Sequence, residues 1–469
     1  MNHIKKLASQ TVIYGLSSVI GRLLNYLLVP LYTRFFLPEE YGLVTEIYAY
    51  VAFLVIILTY GFETAFFRFT DKKKSIENVY STTLISISVS SCIFIFLMFL
   101  ASPYIATHLG YGIESRFIKW FAIIVGFDAI SSISFARIRL EERAILFSSI
   151  KLLNIITNIS LNLYFIVYKG LGIEYIFISN FLSSVLTILC LIPTMTKAKL
   201  SFDYILWKKM VIYALPLLIA GLAGITNETL DRVLLKHLLP ISETASYELG
   251  IYGAFYKLSI IMVLFVQTFR FAAEPFFFSY YKNEDNRQIY ADIMKYFIIV
   301  LIVIFLLVTI FFDFFIGFLG SEFHDERGFV VVSILLLANL FLGIYFNLSI
   351  WYKLSDKTFF GAYLALFGAT ITIVLNLLLI PKIGFIGSAW ATLSCYFAMA
   401  LASYLLSKKH FPIPFQTWKI SFYILIMLAI YFLVYNKYFN LGINALFLLG
   451  FIIFVYILDK PQKTLKNEC

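Results

Sequence analysis

What most constrains this chain is an alternation: long apolar runs, each able to cross a bilayer as a helix, separated by short basic clusters. A hydrocarbon core about 30 Å thick takes roughly 20 apolar residues of helix. On that measure the first half predicts spans over 11–35, 42–66, 79–105, 117–136, 144–167, 171–194 and 210–235. The second half predicts them over 249–273, 293–318, 329–351, 358–380, 384–406, 418–436 and 441–458. The tightest connection is Pro381-Lys382-Ile383-Gly384. The expected fold is an all-α polytopic membrane protein of about fourteen transmembrane helices, since a helix satisfies its backbone within the segment.

The loop charges test this count independently. With the N-terminus cytoplasmic, the inside segments hold Lys5 and Lys6, Arg68 and Lys72 to Lys74, then Arg137, Arg139 and Arg143. Lys197, Lys199, Lys208 and Lys209 follow, then Lys282, Arg287, Lys295, Lys353, Lys357, Lys408, Lys409, Lys419, Lys460, Lys463 and Lys466. The outside loops hold Arg116, Lys119, Lys169, Lys236, Arg327, Lys382 and Lys437. A miscounted helix would invert every later loop, so the consistent alternation supports fourteen spans with both termini cytoplasmic. Trp120, Trp207, Trp351 and Trp418 fall at span ends, where an interfacial aromatic belt is expected.

Composition agrees. The chain is 61% hydrophobic and only 14% charged, whereas a soluble globular protein carries about a quarter charged residues. The net charge of +10 lies in loop clusters, a pattern of membrane topology rather than of a nucleic-acid face. Cys92, Cys190 and Cys395 sit inside apolar runs and Cys469 ends the polar tail, so no pair has metal or redox spacing. The first apolar stretch carries Arg22 in mid-span and lacks a small-residue cleavage site, so it is expected to be retained. The connectors are too short for an extramembranous catalytic domain. The expectation is a protein that is not an enzyme, with no cofactor and no metal.

The longest inside connector, roughly 195–209, divides the first twelve spans into two sets of six. Val12-Ile13-Tyr14-Gly15-Leu16 opens the first span and Val211-Ile212-Tyr213-Ala214-Leu215 the seventh. Glu40-Tyr41-Gly42-Leu43 likewise corresponds to Glu248-Leu249-Gly250-Ile251. Six is even, so both sets run the same way through the membrane, a parallel repeat with substrate at the interface. The expected units are a first lobe over 1–200, a second over 201–412, and two added helices with a basic tail over 413–469.

Ionised residues inside a bilayer are costly and mark function or structural pairing. Tyr14, Ser18, Arg22 and Asn25 share one face of the first span. They read as a cationic stripe lining a wet cavity, or as an arginine paired for structure. Lys151, Asn154, Asn158 and Asn162 form a stripe on the fifth span. Amides both donate and accept, as a sugar lining requires, yet such asparagines also glue helices together. On the seventh span Asn227, Glu228, Asp231 and Arg232 cluster, and Glu228 with Arg232 has the spacing of an intrahelical pair. Pro216, Gly221 and Gly224 would let this helix bend. On the eighth, Lys257 has no evident local partner, whereas Arg270 has Glu274. The remaining acids, Glu46, Glu63 and Asp128, like Asp231, balance charge or relay an ion or proton. Arg22, Lys257 and Arg270, with Asn25 and Ser18, are the expected anion-binding set, and a phosphate or pyrophosphate is the matching group.

Several stretches resemble one family. They are Ser17-Ser18-Val19-Ile20-Gly21-Arg22, Leu37-Pro38-Glu39-Glu40-Tyr41-Gly42, Tyr213-Ala214-Leu215-Pro216-Leu217, Asp231-Arg232 and Phe269-Arg270-Phe271-Ala272-Ala273-Glu274-Pro275-Phe276. The chain resembles the oligosaccharide (O-antigen, Wzx-type) flippases, or polysaccharide biosynthesis proteins, of the multidrug/oligosaccharidyl-lipid/polysaccharide exporter superfamily. The resemblance implies two six-helix lobes around a central cavity. It also implies passage of an undecaprenyl-pyrophosphate-linked oligosaccharide across the bacterial cytoplasmic (inner) membrane. In related lipid II flippases, arginines on the first, second and eighth helices engage the pyrophosphate. Arg22 and Lys257 occupy comparable helices, but the second span offers only Glu46 and Glu63.

The expected partners are a lipid-linked oligosaccharide, membrane lipid, a coupling ion (H+ or Na+) and polysaccharide polymerase or chain-length proteins, with no nucleic acid. The rival reading is a cation-coupled multidrug antiporter of the same fold, centred on acids such as Asp128 and Glu63. A polymerase or ligase would need a large outer loop that this chain lacks.

Overall fold

The computed structural model describes residues 19–70, 76–109, 115–199, 201–239, 244–280, 287–355 and 357–459, with backbone alone at 272, 274–276 and 278–280. The first span is helical over 19–35 with a break at Leu27 (α1), and its beginning, 11–18, lies outside the described residues. There follow α2 (Pro38–Phe69), α3 (Ile76–His108), α4 (Arg116–Leu140), α5 (Ala144–Tyr168) and α6 (Glu174–Met195). The second set is α7 (Tyr204–Leu238), α8 (Ala245–Tyr280), α9 (Arg287–Ile310), α10 (Gly328–Leu354), α11 (Phe359–Ile383) and α12 (Phe385–His410). Last come α13 (Thr417–Tyr435) and α14 (Leu441–Leu458). Among the described residues thirteen helices, α2 to α14, are long and apolar enough to cross a membrane. They coincide with the second to fourteenth expected spans.

Local chemistry sets the ends. Asp203 caps α7, its Oδ1 accepting the Leu206 N–H at 2.9 Å. That backbone donor holds its carboxyl below the usual carboxylate range. Asn440 caps α14 in the same way through Ile443 N at 3.0 Å. The expected tight turn is Gly384, at φ +60°, which lets α12 begin directly after α11. α2 is broken into Pro38–Thr59 and Phe62–Phe69 by Tyr60 and Gly61, both at positive φ.

In the first set α3 packs on α4, and α4 and α5 on α6. In the second, α8 and α12 pack on α10, and α7 and α12 on α11. The two sets meet chiefly through α2, which packs along α7 and α8. At the end that the loop charges place outside, this seam is nearly backbone to backbone. A Cβ on Gly42 would stand 2.0 Å from the Ser246 carbonyl oxygen, and one on Gly250 1.8 Å from that of Pro38. Beside it, Arg327 donates to Glu248 at 2.8 and 3.1 Å and to Asp325 at 2.6 Å.

α13 and α14 dock on α9. Their anchor is Asp459, which accepts from Lys295 on α9 at 3.1 Å, Lys419 at 3.0 Å and Tyr423 at 2.5 Å. Trp351 departs from the expected interfacial belt. It is fully buried and donates from Nε1 to Ser403 on α12 at 3.1 Å. An indole can be hidden where its one donor is satisfied.

Candidate functional site

Between the two helix sets lies a cavity of about 450 Å³. Its walls differ in chemistry. The first set contributes Asn25 and Tyr32 from α1, Tyr41 and Tyr48 from α2, Asn154 and Asn158 from α5 and Asn180 from α6. All of these are uncharged. The charged lining residues, Glu228 and Arg232 on α7 and Lys257 on α8, all belong to the second set.

The neutral wall is held in place from behind. Asn154 donates to the Ser183 carbonyl at 2.9 Å and to Thr187 Oγ1 at 2.8 Å, so its oxygen remains as an acceptor. Asn180 donates to the Tyr48 hydroxyl at 2.8 Å. Asn162, buried behind Asn158, donates to the Asn158 side-chain oxygen at 2.7 Å and accepts from Tyr32 at 3.0 Å. The α5 stripe therefore splits. Asn154 and Asn158 reach the cavity, Asn162 ties α5 to α1, and Lys151 lies over the Phe135 ring at 4.4 Å.

Of the expected cationic set, Lys257 and Asn25 line the cavity. Ser18 lies outside the described residues. Arg22 is not among the lining residues; its guanidinium donates to Gln267 on α8, across the seam between α1 and α8. Arg270 stands apart, in a recess between α8, α9 and α10 with its guanidinium 4.8 Å from the Phe346 ring.

The acids are mostly committed. Glu46 is buried and accepts from Lys236 at 2.7 Å, pinning α2 to the C-terminal end of α7. Glu63 pairs with Arg139, joining the C-terminal ends of α2 and α4. Asp231 is buried away from the cavity lining, accepting from Tyr252 at 2.5 Å and from the Arg232 N–H at 2.8 Å. Asp128 accepts from Ser184 at 3.1 Å and retains exposed surface within the first set. Among the described residues no group of three or more metal-ligating side chains gathers.

The spacing of Glu228 and Arg232 suggested an intrahelical ion pair, and that reading concealed a cavity residue. Arg232 Nη1 donates at 3.0 Å to the Glu228 backbone carbonyl, not to its carboxylate. The guanidinium stacks 3.7 Å above the Tyr256 ring, a neighbour no local pattern predicts. Tyr48, Tyr256 and Asn180 also line the cavity unforeseen, because tyrosines abound in this chain and an isolated asparagine has no stripe. The arrangement provides hydroxyl-matching amides and aromatic faces on one side, and cations for an anion on the other.

Comparison with known proteins places this geometry. The fold matches a lipid II flippase, MurJ, in an inward-closed conformation, with a TM-score of 0.74, 18% identity, and coverage of 96% of this chain and 99% of that one. It also matches an inward-facing multidrug resistance MATE family transporter of the MOP superfamily (TM-score 0.65, 13% identity, 86% of this chain and 97% of that one). The MATE multidrug transporter DinF-BH is similar again (TM-score 0.64, 17% identity, 86% and 95%). At these identities the likeness is one of fold. No curated protein matches by sequence. The chain belongs to the polysaccharide biosynthesis protein family, whose signature matches residues 7–281.

Proposed function

We propose that this protein flips an undecaprenyl-pyrophosphate-linked oligosaccharide, an O-antigen, capsule or exopolysaccharide repeat unit, across the bacterial cytoplasmic membrane by alternating access. The observation that carries the reading is the two-sided cavity, with asparagines and tyrosines facing Arg232 and Lys257. A glycan linked to a diphosphate has the same two chemistries. In the cycle proposed, Arg22 at the seam between α1 and α8 meets the pyrophosphate first and Lys257 holds it within. The amide wall takes the sugars. A cavity of about 450 Å³ is small for an oligosaccharide, so the sets must part at the inner end while the Gly42–Gly250 contact seals the outer one. The lipid tail stays in the bilayer, against α13 and α14. No bond of the substrate is broken, so the protein acts as a transporter, driven by H+ or Na+ and working beside polymerase and chain-length proteins.

The test is alanine at Arg22 and at Lys257. Each is expected to reduce surface polysaccharide several-fold with membrane insertion unchanged. If neither does, the cationic-cavity mechanism is wrong. A second reading, a cation-coupled drug antiporter, is favoured by Asp128, whose carboxylate has Ser184 as its donor and makes no salt bridge among the described residues. Drug resistance conferred on a pump-deficient strain, with no effect on polysaccharide, would select it.

A further inference from the structure

We infer that Arg232 and Lys257 form a two-point clamp that selects a diphosphate linkage over a monophosphate one, a refinement that rests on the flippase reading.

Most cations of the helix bundle are already answered. Arg139 pairs with Glu63, Lys236 with Glu46, Lys295 with Asp459, and Arg137 with Glu141. Arg22 donates to Gln267. Arg232 and Lys257, both lining the cavity, make no ion pair among the described residues. A guanidinium has five N–H donors. Arg232 directs one of them to a carbonyl of its own helix, and its Nη2 is hidden with no acceptor. This is a costly state for a buried donor. Shifting Nη1 from a neutral carbonyl to a phosphate oxygen exchanges an ordinary hydrogen bond for a charge-assisted one.

The first cation reaches across to the helix that carries the second. Arg232 stacks on Tyr256, and Tyr256 directly precedes Lys257 on α8. The guanidinium carbon lies 3.7 Å from the centre of that ring, a cation–π contact. Two cations from neighbouring helices thus face one cavity. A lipid–diphosphate–sugar carries one negative charge on each phosphate, and each charge meets one cation. A lipid–monophosphate–sugar carries one and leaves a cation unanswered. Glu228 sharpens the choice. Its carboxylate faces the same cavity and makes no hydrogen bond or ion pair among the described residues. It leaves the lining two positive charges against one negative, so a weakly charged ligand gains little.

The experiment uses the full-length protein in detergent, with the N-acetylglucosaminyl diphosphate and the N-acetylglucosaminyl monophosphate of geranylgeraniol as probes, diesters that carry two negative charges and one. Wild type is expected to prefer the diphosphate. Arg232→Gln should weaken diphosphate binding by about tenfold, the worth of a hydrogen bond to a charged group, and change monophosphate binding little. Arg232→Lys should recover part of the preference, and Glu228→Gln should tighten both probes. Thermal melting of each variant separates misfolding from lost recognition. If Arg232→Gln keeps the wild-type preference while Lys257→Gln loses binding, the clamp is overturned and the flippase reading stands. If wild type binds neither probe and deleting the protein leaves surface polysaccharide intact, the flippase reading itself fails, and the clamp with it.

Discussion

An ionised side chain persists within a membrane bundle only where something answers its charge. Glu46 and Lys236 illustrate the structural answer. The carboxylate is fully buried, one oxygen accepts from Lys236 at 2.7 Å, and the lysine also donates to the Leu109 carbonyl at 2.8 Å. Removing one partner of a buried pair leaves an uncompensated charge, which costs about 3–5 kcal/mol. Lys236→Met is therefore expected to lower the thermal midpoint in detergent sharply, and Glu46→Leu added to it to restore much of the loss. Additive losses in that double-mutant cycle would show that the two charges are not coupled. Arg232 and Lys257 illustrate the other case: both line the cavity and make no ion pair among the described residues. In sequence the two classes look alike. Glu46 has no cation within a helical turn, and its partner lies 190 positions away. Glu228 and Arg232 have pairing spacing yet do not pair through their side chains.

At the scale of elements, the seam between α2 and α8 is built from positions where any side chain would collide. A Cβ on Gly250 would stand 1.8 Å from a backbone oxygen, which cannot swing aside as a flexible side chain can. Gly250→Ala should hold the outer ends of α2 and α8 apart and stop transport while the protein still inserts. With native cysteines removed, a cysteine at Thr45, which faces Gly253 across the same seam, should then react faster with a membrane-impermeant maleimide added outside. Unchanged labelling would mean that the seam does not open at this point. The Glu40/Glu248 repeat anticipated a correspondence between these two turns. It did not anticipate their contact, because a parallel repeat relates the segments without saying which of them touch.

At the scale of the whole molecule, the described helices are arranged as two sets and an appended pair, and a charged knot helps fasten the pair. Asp459 follows α14 and draws Lys419 and Tyr423 from α13 onto Lys295 of α9. Asp459→Ala should leave Lys295, which is almost wholly buried, without that acceptor. Faster proteolytic loss of α13 and α14 from the purified protein, with α1 to α12 persisting, is the expected outcome. Loss of the entire chain at one rate would show that the pair is integral to the fold.

The existence and approximate place of the described helices were legible along the chain, because a bilayer imposes a length on each apolar run. That is a local property. Part of the cavity lining was legible too, since Asn25, Asn154, Asn158 and Lys257 each break an apolar run on their own helix. Which polar residues share the cavity was a matter of how the helices are rotated against one another. That rotation sent Asn162 and Asp231 behind the wall, put Arg270 in a separate recess, and laid Arg232 on Tyr256 beside Lys257. Packing between distant helices makes these choices, and a helical repeat read from one segment carries no information about the face its neighbour presents.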